Sequence, residues 1–385
     1  VPFAVLLGAL FGSISGSASA NVASTGAITL PAMTKLGYPK RFSAAVEAVA
    51  SSGGQIMPPL MGAGAFVMVE LTGVPYAQIM VAAILPAILY FLAVWMGINA
   101  YAQRVELKGV PKDQQPTRRA IVITSAFFAV PFAVLLGAMF GAGFTPQYAA
   151  ALAILVGMAA LFFDIRPGFN PRQGVTRLAD ACIAVGKQVA MIGSIIICAS
   201  IIVGVLGITG LGVKLTSVIL SGSGGMLWPA LLLTALACLL LGMEVPTTAA
   251  YVICVSVAGP ALIALGLEPL QAHLFVFWFA LLSTITPPVC GAVFIAAGMV
   301  GENWLKVAIT SMALGVGLYL IPLGMIANDN LIRLGSHPIL ALWAFVRVAV
   351  GLSLISYGLI GKGSVLKRGA LIVAGMLAIF AKGAF

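Results

Sequence analysis

Gly16-Ser17-Ala18-Ser19-Ala20-Asn21-Val22-Ala23-Ser24-Thr25 is followed further along by Gln55-Ile56-Met57-Pro58-Pro59-Leu60-Met61-Gly62. The pair recurs as Gly242-Met243-Glu244-Val245-Pro246-Thr247-Thr248 and Ile285-Thr286-Pro287-Pro288-Val289-Cys290-Gly291. Pro58 lies 37 residues after Asn21, and Pro287 lies 39 after Thr248. Each copy sets small polar residues and a proline pair inside otherwise apolar sequence. In lipid, broken backbone is tolerated only where protein buries it or where it lines a cavity. A single Gly-Ser cluster would read as close helix packing. Four breaks in matched order and spacing point instead to a binding site shared by two halves.

Composition places those breaks in a membrane. The 385 residues are 61% hydrophobic and 8% charged, with a mean hydropathy of +1.13. That excludes a soluble globular domain and predicts an all-α, polytopic membrane protein in contact with the lipid bilayer. The net charge of +10 does not predict a nucleic-acid partner, because the basic residues sit in short loops between spans. Val1 already lies inside an apolar run, so the expectation is a piece of a longer protein whose N-terminal part is missing. Cys182, Cys198, Cys238, Cys254 and Cys290 lie in or beside apolar spans with no C-x-x-C pair, which predicts structural thiols rather than disulfides or zinc.

With the basic loops taken as cytoplasmic, sixteen of the 20 Lys and Arg fall on one side, and only Lys214 and Arg333 fall in loops on the other. This asymmetry fixes orientation. The loop after the first polar tip is basic (Lys35, Lys40, Arg41), whereas its counterpart, Gly266-Leu267-Glu268-Pro269, is acidic. The two halves are therefore expected to enter the membrane from opposite sides, as inverted repeats. Residues 1–100 form the first repeat, a re-entrant hairpin plus a broken transmembrane helix. Residues 101–187 are connecting helices and cytoplasmic loops, 188–326 the second repeat, and 327–385 C-terminal transmembrane helices. Polar residues 171–186 read as an interfacial stretch before the crossing at 188–208.

The breaks carry oxygen. Proline removes a backbone donor and bars its predecessor from helical geometry, so carbonyls upstream lose partners. Such carbonyls with nearby hydroxyls can replace the hydration shell of Na+ without a buried carboxylate. Two or more Na+ sites are expected from Ser17, Asn21, Gly53, Gly54, Pro58, Thr248, Ser283, Thr284 and Pro287. Helix N-termini at the same breaks favour an anion. Ser17, Ser19, Asn21, Gln55, Thr247, Thr248 and Thr286 are the candidates to meet a substrate. No nucleotide site is predicted, since no G-x-x-x-x-G-K-[ST] occurs.

Gly12–Val22, Ser51–Pro59, Val245–Tyr251, His273–Phe277 and Thr284–Pro288 together resemble the large permease subunit of TRAP (tripartite ATP-independent periplasmic) transporters. Nearest in kind are the fused permeases paired with TAXI-type binding proteins. The resemblance covers roughly residues 1–330. It implies an elevator-type transport domain, built from the hairpins and broken helices, that is driven by Na+ and sits in the bacterial inner membrane. It also implies a periplasmic TAXI-type substrate-binding protein that delivers a small organic acid. Scaffold and small-subunit portions would lie upstream of Val1.

Glu47 and Glu244 are coupling candidates, because an ionisable group in a span is functional by default. Glu47 equally admits an interfacial pair with Lys40 or Arg41. His273 reads as a proton carrier or as a hydrogen-bonded helix-start residue, and Arg347 as a snorkelling or acid-paired cation. The rival to a tripartite importer is a stand-alone Na+- or H+-coupled dicarboxylate carrier with no binding protein. An intramembrane enzyme is disfavoured, for no H-E-x-x-H and no paired aspartate lies in a span. A continuous channel is disfavoured too, since closed hairpins favour occlusion.

Overall fold

The computed structural model describes residues 2–106, 118–163, 171–243 and 245–381. All its regular elements are helices; no strand occurs among the described residues. They fall into two compact units, one of residues 1–108 and 195–385 and one of 109–194.

In the larger unit, a helix pair around a polar tip followed by a shorter pair around a proline break recurs in a fixed order. Helices α1 (Pro2–Ser15) and α2 (Ala18–Lys35) flank the first polar tip. Helices α3 (Lys40–Gly54) and α4 (Gly64–Thr72) flank Pro58-Pro59, and α5 (Tyr76–Val105) follows as an unbroken 30-residue helix. At 1.5 Å per residue α5 runs ~45 Å, ample for a ~30 Å hydrocarbon core, whereas α3 and α4 fall short of it singly.

The smaller unit holds α6 (Arg118–Leu136), a π-helical turn (Gly137–Gly141), α7 (Pro146–Ala160) and the start of α8 (Pro171–Thr209). There α6 packs on α7. The guanidinium of Arg177 donates to the carbonyls of Leu161 and Phe163 at 3.3 and 3.2 Å, satisfying acceptors beyond the end of α7. The stretch 171–186 is thus the first part of one 39-residue helix rather than a separate segment.

Back in the larger unit, α9 (Leu211–Gly222) is a helix that includes Lys214, which the sequence reading placed in a loop. The first order of elements then repeats. Helices α10 (Leu227–Leu241) and α11 (Thr247–Ala264) flank the second tip, and α12 (Pro269–Leu282) and α13 (Gly291–Val300) flank Pro287-Pro288. The next apolar run is split into α14 (Trp304–Leu314) and α15 (Gly317–Ala327). After a 3-10 turn (Asp329–Ile332) come α16 (Pro338–Ile360) and α17 (Val365–Phe380), which pack on each other. Among the described residues, four segments are long and apolar enough to cross a membrane: Tyr76–Val105, Thr247–Ala264, Trp304–Ala327 and Pro338–Ile360.

Packing repeats as well. Helices α1 and α2 both lie on α3, as α10 and α11 both lie on α12; α3 also meets α13, and α4 meets α11 and α12. From Phe42 to Gly54 every residue of α3 is buried, yet most are Ala, Ser or Gly. Small residues let helix backbones approach closely, which substitutes for the hydrophobic drive that lipid does not supply. Its counterpart α12 is buried with large residues, Phe275, Phe277 and Trp278 among them. The two kinds interlock: a Cβ built on Gly64 would lie 2.4 Å from the Phe277 ring, and one on Gly53 2.0 Å from Tyr90. Outward faces are apolar too, with Leu232, Leu236 and Leu240 on α10 and Trp343, Val346 and Val350 on α16 all exposed, as a lipid-facing surface requires.

Arg347 lies part-way along α16. Its Nε donates to the Ala378 carbonyl on α17 at 2.7 Å, so a backbone acceptor takes the place of an acid. Arg368 likewise donates to the carbonyls of Gly358 (2.8 Å) and Leu359 (2.6 Å), covering the otherwise unpaired end of α16.

Candidate functional site

The first tip is built by close backbone approach. Gly16, at φ +64°, turns the chain between α1 and α2, and Ser17 caps α2 by accepting from the Ala20 amide at 3.3 Å. A left-handed turn followed at once by a cap suits glycine and serine. Asn21, one turn into α2 and fully buried, donates its Nδ2 to the carbonyls of Gly8 (3.0 Å) and Ser51 (3.4 Å). It thereby ties α1, α2 and α3 together at one point. A Cβ on Gly12 would meet Asn21 Nδ2 at 2.7 Å and Gly54 Cα at 2.8 Å. The first proline break folds onto the same tip: the Gly62 amide donates to Ser13 O at 3.4 Å, and a Cβ on Gly62 would sit 3.0 Å from Gly16 Cα.

The helix ends differ from the sequence expectation in one respect. The carbonyls of Ser52, Gly53 and Gly54 are not left without partners, because α3 tightens and they accept from the amides of Gln55, Ile56 and Met57 at 3.1–3.3 Å. Tightening of the last turn is a common way to satisfy terminal acceptors. Each carbonyl keeps a second lone pair. At the end of α12 the amides of Thr284, Ile285 and Thr286 close back on Leu281 and Leu282 in the same manner. Pro58-Pro59 and Pro287-Pro288 are both cis.

The two halves meet through side chains at these ends. Thr284 Oγ1 donates to Ser52 Oγ at 2.9 Å. Thr247 Oγ1, at the start of α11, donates to Gln55 Oε1 in a short contact. Ser283 Oγ donates to Gly242 O at 2.8 Å, joining the end of α12 to the second tip. The hydroxyls of Thr286 and of Tyr319 on α15 are hydrogen-bonded at 2.6 Å. Ser52, Ser51, Gly12 and Tyr319 were not among the sequence candidates. The first three lie within or beside the quoted motifs, whereas Tyr319 had no local signal. Ser19 and Thr248 are half-buried beside the tips, and Glu244 lies outside the described residues.

Two buried polar atoms here have no hydrogen-bond partner among the described residues: Asn21 Oδ1 and Gln55 Nε2. Leaving such groups unsatisfied costs about 1–3 kcal/mol each. One is an acceptor and the other a donor, so the site can offer an oxygen to a cation and an N–H to an anion. Around them start α2, α4, α11 and α13, whose N-termini put partial positive charge at the breaks. Among the described residues no three His, Cys, Asp or Glu cluster. The hard-oxygen set of hydroxyls, amide and carbonyls suits an alkali cation rather than a transition metal.

This geometry, a doubled tip-and-break with polar cross-links inside an apolar helical protein, has a match in sequence. The family description "Tripartite ATP-independent periplasmic transporter, DctM component" fits residues 3–340. The chain belongs to this family. Among characterised relatives, the isethionate TRAP transporter permease protein DctMQ of Oleidesulfovibrio alaskensis is 27% identical over 316 residues, 81% of this chain and 48% of that protein. The C4-dicarboxylate TRAP transporter large permease protein DctM of Pseudomonas aeruginosa is 24% identical over 298 residues, 77% of this chain and 68% of that one. The ectoine TRAP transporter large permease protein TeaC of Halomonas elongata is 25% identical over 311 residues, with the same two shares. The chain thus spans about half of the first relative and about two thirds of the others.

Two further titratable residues of this DctM-family chain bear on the sequence reading. Glu47 makes no ion pair with Lys40 or Arg41; Arg41 donates instead to Thr310 Oγ1 at 2.7 Å. His273 is buried and bonded through Nδ1 to the Tyr251 hydroxyl at 2.7 Å, which fits the hydrogen-bonded helix-start reading. None of the five cysteines is in a disulfide among the described residues.

Tyr319 gives a prediction of its own. Tyr319→Phe removes only the hydroxyl that meets Thr286, while Thr286 keeps its bond to Leu282 O at 2.6 Å. Loss of one neutral hydrogen bond is worth ~1 kcal/mol. Uptake by the reconstituted full-length protein is expected to fall about fivefold, with the melting temperature lowered only by what that one bond contributes.

Proposed function

We propose that this chain is the permease part of a Na+-coupled secondary transporter that imports a small organic acid by an elevator mechanism. A periplasmic substrate-binding protein, of the TAXI type, delivers the acid at the bacterial inner membrane. The observation that carries the reading is the pair of cross-half contacts, Gln55–Thr247 and Ser52–Thr284, which bring the first break against the second half. Cation ligands at this junction are drawn from Ser17, Asn21, Gly53, Gly54, Pro58, Thr248, Ser283, Thr284 and Pro287. Gln55, Ser19, Thr247, Thr248 and Thr286 face the acid, together with Ser17 and Asn21.

The opposed charge of the two loops after the tips supports inverted, re-entrant repeats. The half-length of α1, α3, α4, α10, α12 and α13 supports them too, for helices of 9–15 residues cannot cross singly. The resemblance of the motifs taken together supports the fused, TAXI-paired branch. The names of the relatives, for isethionate, C4-dicarboxylates and ectoine, support a small and strongly polar solute.

The test is uptake of labelled organic acids into proteoliposomes bearing the full-length protein. The expected result is accumulation that requires both an inward Na+ gradient and the cognate binding protein. Accumulation on Na+ alone would move the assignment to a stand-alone carrier. Accumulation indifferent to Na+ would overturn the ion reading of the breaks.

A further inference from the structure

Glu47 is the one acidic residue that the described structure buries completely, at 0% exposure. The other described glutamates, Glu70, Glu106, Glu268 and Glu302, are exposed or half-exposed. Two of those pair with cations, Glu268 with Arg333 at 2.8 Å and Glu106 with Lys362 at 3.6 Å. Glu47 meets hydroxyls instead. Thr25 Oγ1 makes a short contact with its Oε1 and Thr29 Oγ1 with its Oε2, and Ser51 Oγ lies 3.4 Å from Oε1.

The helices packed on α3 supply no countercharge. α1 and α13 contain no titratable side chain, α2 has only Lys35, and α14 only the exposed Lys306. On α5 are Tyr76, bonded to Pro59 O, Tyr90, bonded to Val49 O at 2.7 Å, Tyr101 and Arg104. On α3 itself Lys40 and Arg41 stand two turns away, and no hydrogen bond or ion pair joins any of these groups to Glu47. Burying a lone carboxylate without a cation is expensive. The second half avoids the problem: at the same distance before its proline pair it carries Val276.

Counting protons shows what the cluster can do. Thr25 Oγ1 is also 2.8 Å from Asn21 O, and Thr29 Oγ1 is 3.0 Å from Thr25 O. Each hydroxyl has one hydrogen, so it serves either its helix carbonyl or the carboxylate. Beside an ionised Glu47 both threonine protons turn toward it. Beside a neutral Glu47 the acid donates to one threonine oxygen, and that threonine returns its proton to the helix. The heavy atoms need not move between the two states.

We propose that Glu47, Thr25, Thr29 and Ser51 form a proton-binding site whose occupancy is tied to the first tip at Asn21. The tie runs through two contacts: Thr25 touches Asn21 O, and Ser51, whose hydroxyl faces Glu47, offers its carbonyl to Asn21 Nδ2. Proton binding itself stands independently, whereas the tie rests on the reading of the tip as a cation site. A Na+ at the tip and a proton at Glu47 disfavour one another, and linkage makes that effect reciprocal.

Infrared difference spectroscopy on the full-length protein in lipid tests both parts without requiring transport. The expected result is a carboxylic-acid C=O band that titrates with pH, disappears in Glu47→Gln and shifts in Thr25→Val. Saturating Na+ moves its titration by about one pH unit, a tenfold change in proton affinity. If Glu47→Gln does not fold, the Thr25→Val and Thr29→Val shifts assign the band. Absence of such a band at every pH, or a band that never titrates, overturns the proton site. A titrating band indifferent to Na+ and to Asn21→Ala overturns the tie to the tip. A failure of the transport reading would appear in uptake alone and leave the band as described.

Discussion

Gly54→Ala is expected to abolish uptake and to destabilise the protein by about 3 kcal/mol, the upper end of what overpacking usually costs. The added Cβ would lie 2.5 Å from Gly12 Cα, 2.7 Å from Gly8 O and 2.8 Å from Gly12 C. All three are backbone atoms, so no side chain can swing aside. Helix α1 would have to move off α3, carrying the first tip with it and breaking the bonds from Asn21 to Gly8 O and Ser51 O. Gly298→Ala is the control: a helical glycine with nothing within 4 Å of its Cβ, it is expected to be neutral or slightly stabilising. Thermal unfolding in detergent measures the loss of stability and proteoliposome uptake the loss of transport. A Gly54→Ala protein as stable and active as the wild type would mean that α1 and α3 do not cross at this contact.

Asn21→Ala is expected to lower Na+-driven uptake roughly 10–100-fold, the equivalent of 1–3 kcal/mol for a buried polar group. The substitution removes two distinct things. One is the Nδ2 donor that binds Gly8 O and Ser51 O. The other is Oδ1, an acceptor with no protein partner among the described residues. If the second matters, the Na+ concentration for half-maximal uptake rises, while the melting temperature falls only by what one or two hydrogen bonds contribute. A fall in stability with an unchanged Na+ requirement would make Asn21 a structural strut and nothing more.

The fold was legible where the sequence was odd. Small polar islands and proline pairs inside apolar runs marked all four helix breaks, because breaks in such runs have few causes in lipid. Helix α9 was missed because Lys214, Thr216 and Ser217 made its stretch read as a loop, and the division between α14 and α15 at Gly315-Val316 because no polar residue interrupts the apolar run there. Cross-half contacts such as Ser52–Thr284 and Thr286–Tyr319 were not legible, because they depend on how helices far apart in sequence cross.

Glu47 is the instructive case. Its nearest cations in sequence, Lys40 and Arg41, were the natural partners to consider, yet its partners come from α2. A signal was present in the spacing. Asn21, Thr25 and Thr29 recur every four residues along one face of α2, as Glu47 and Ser51 do on α3. A polar stripe at helical spacing on each of two neighbouring apolar helices points to a shared network.

The measurement that bears most directly on the account is equilibrium binding of radiolabelled Na+ to the purified full-length protein, with no gradient and no binding protein present. Saturable binding is expected, weakened about tenfold or more by Asn21→Ala and by Thr284→Val and left unchanged by Gly298→Ala. Absence of saturable binding, or binding that all three variants leave intact, would contradict the ion reading of the breaks.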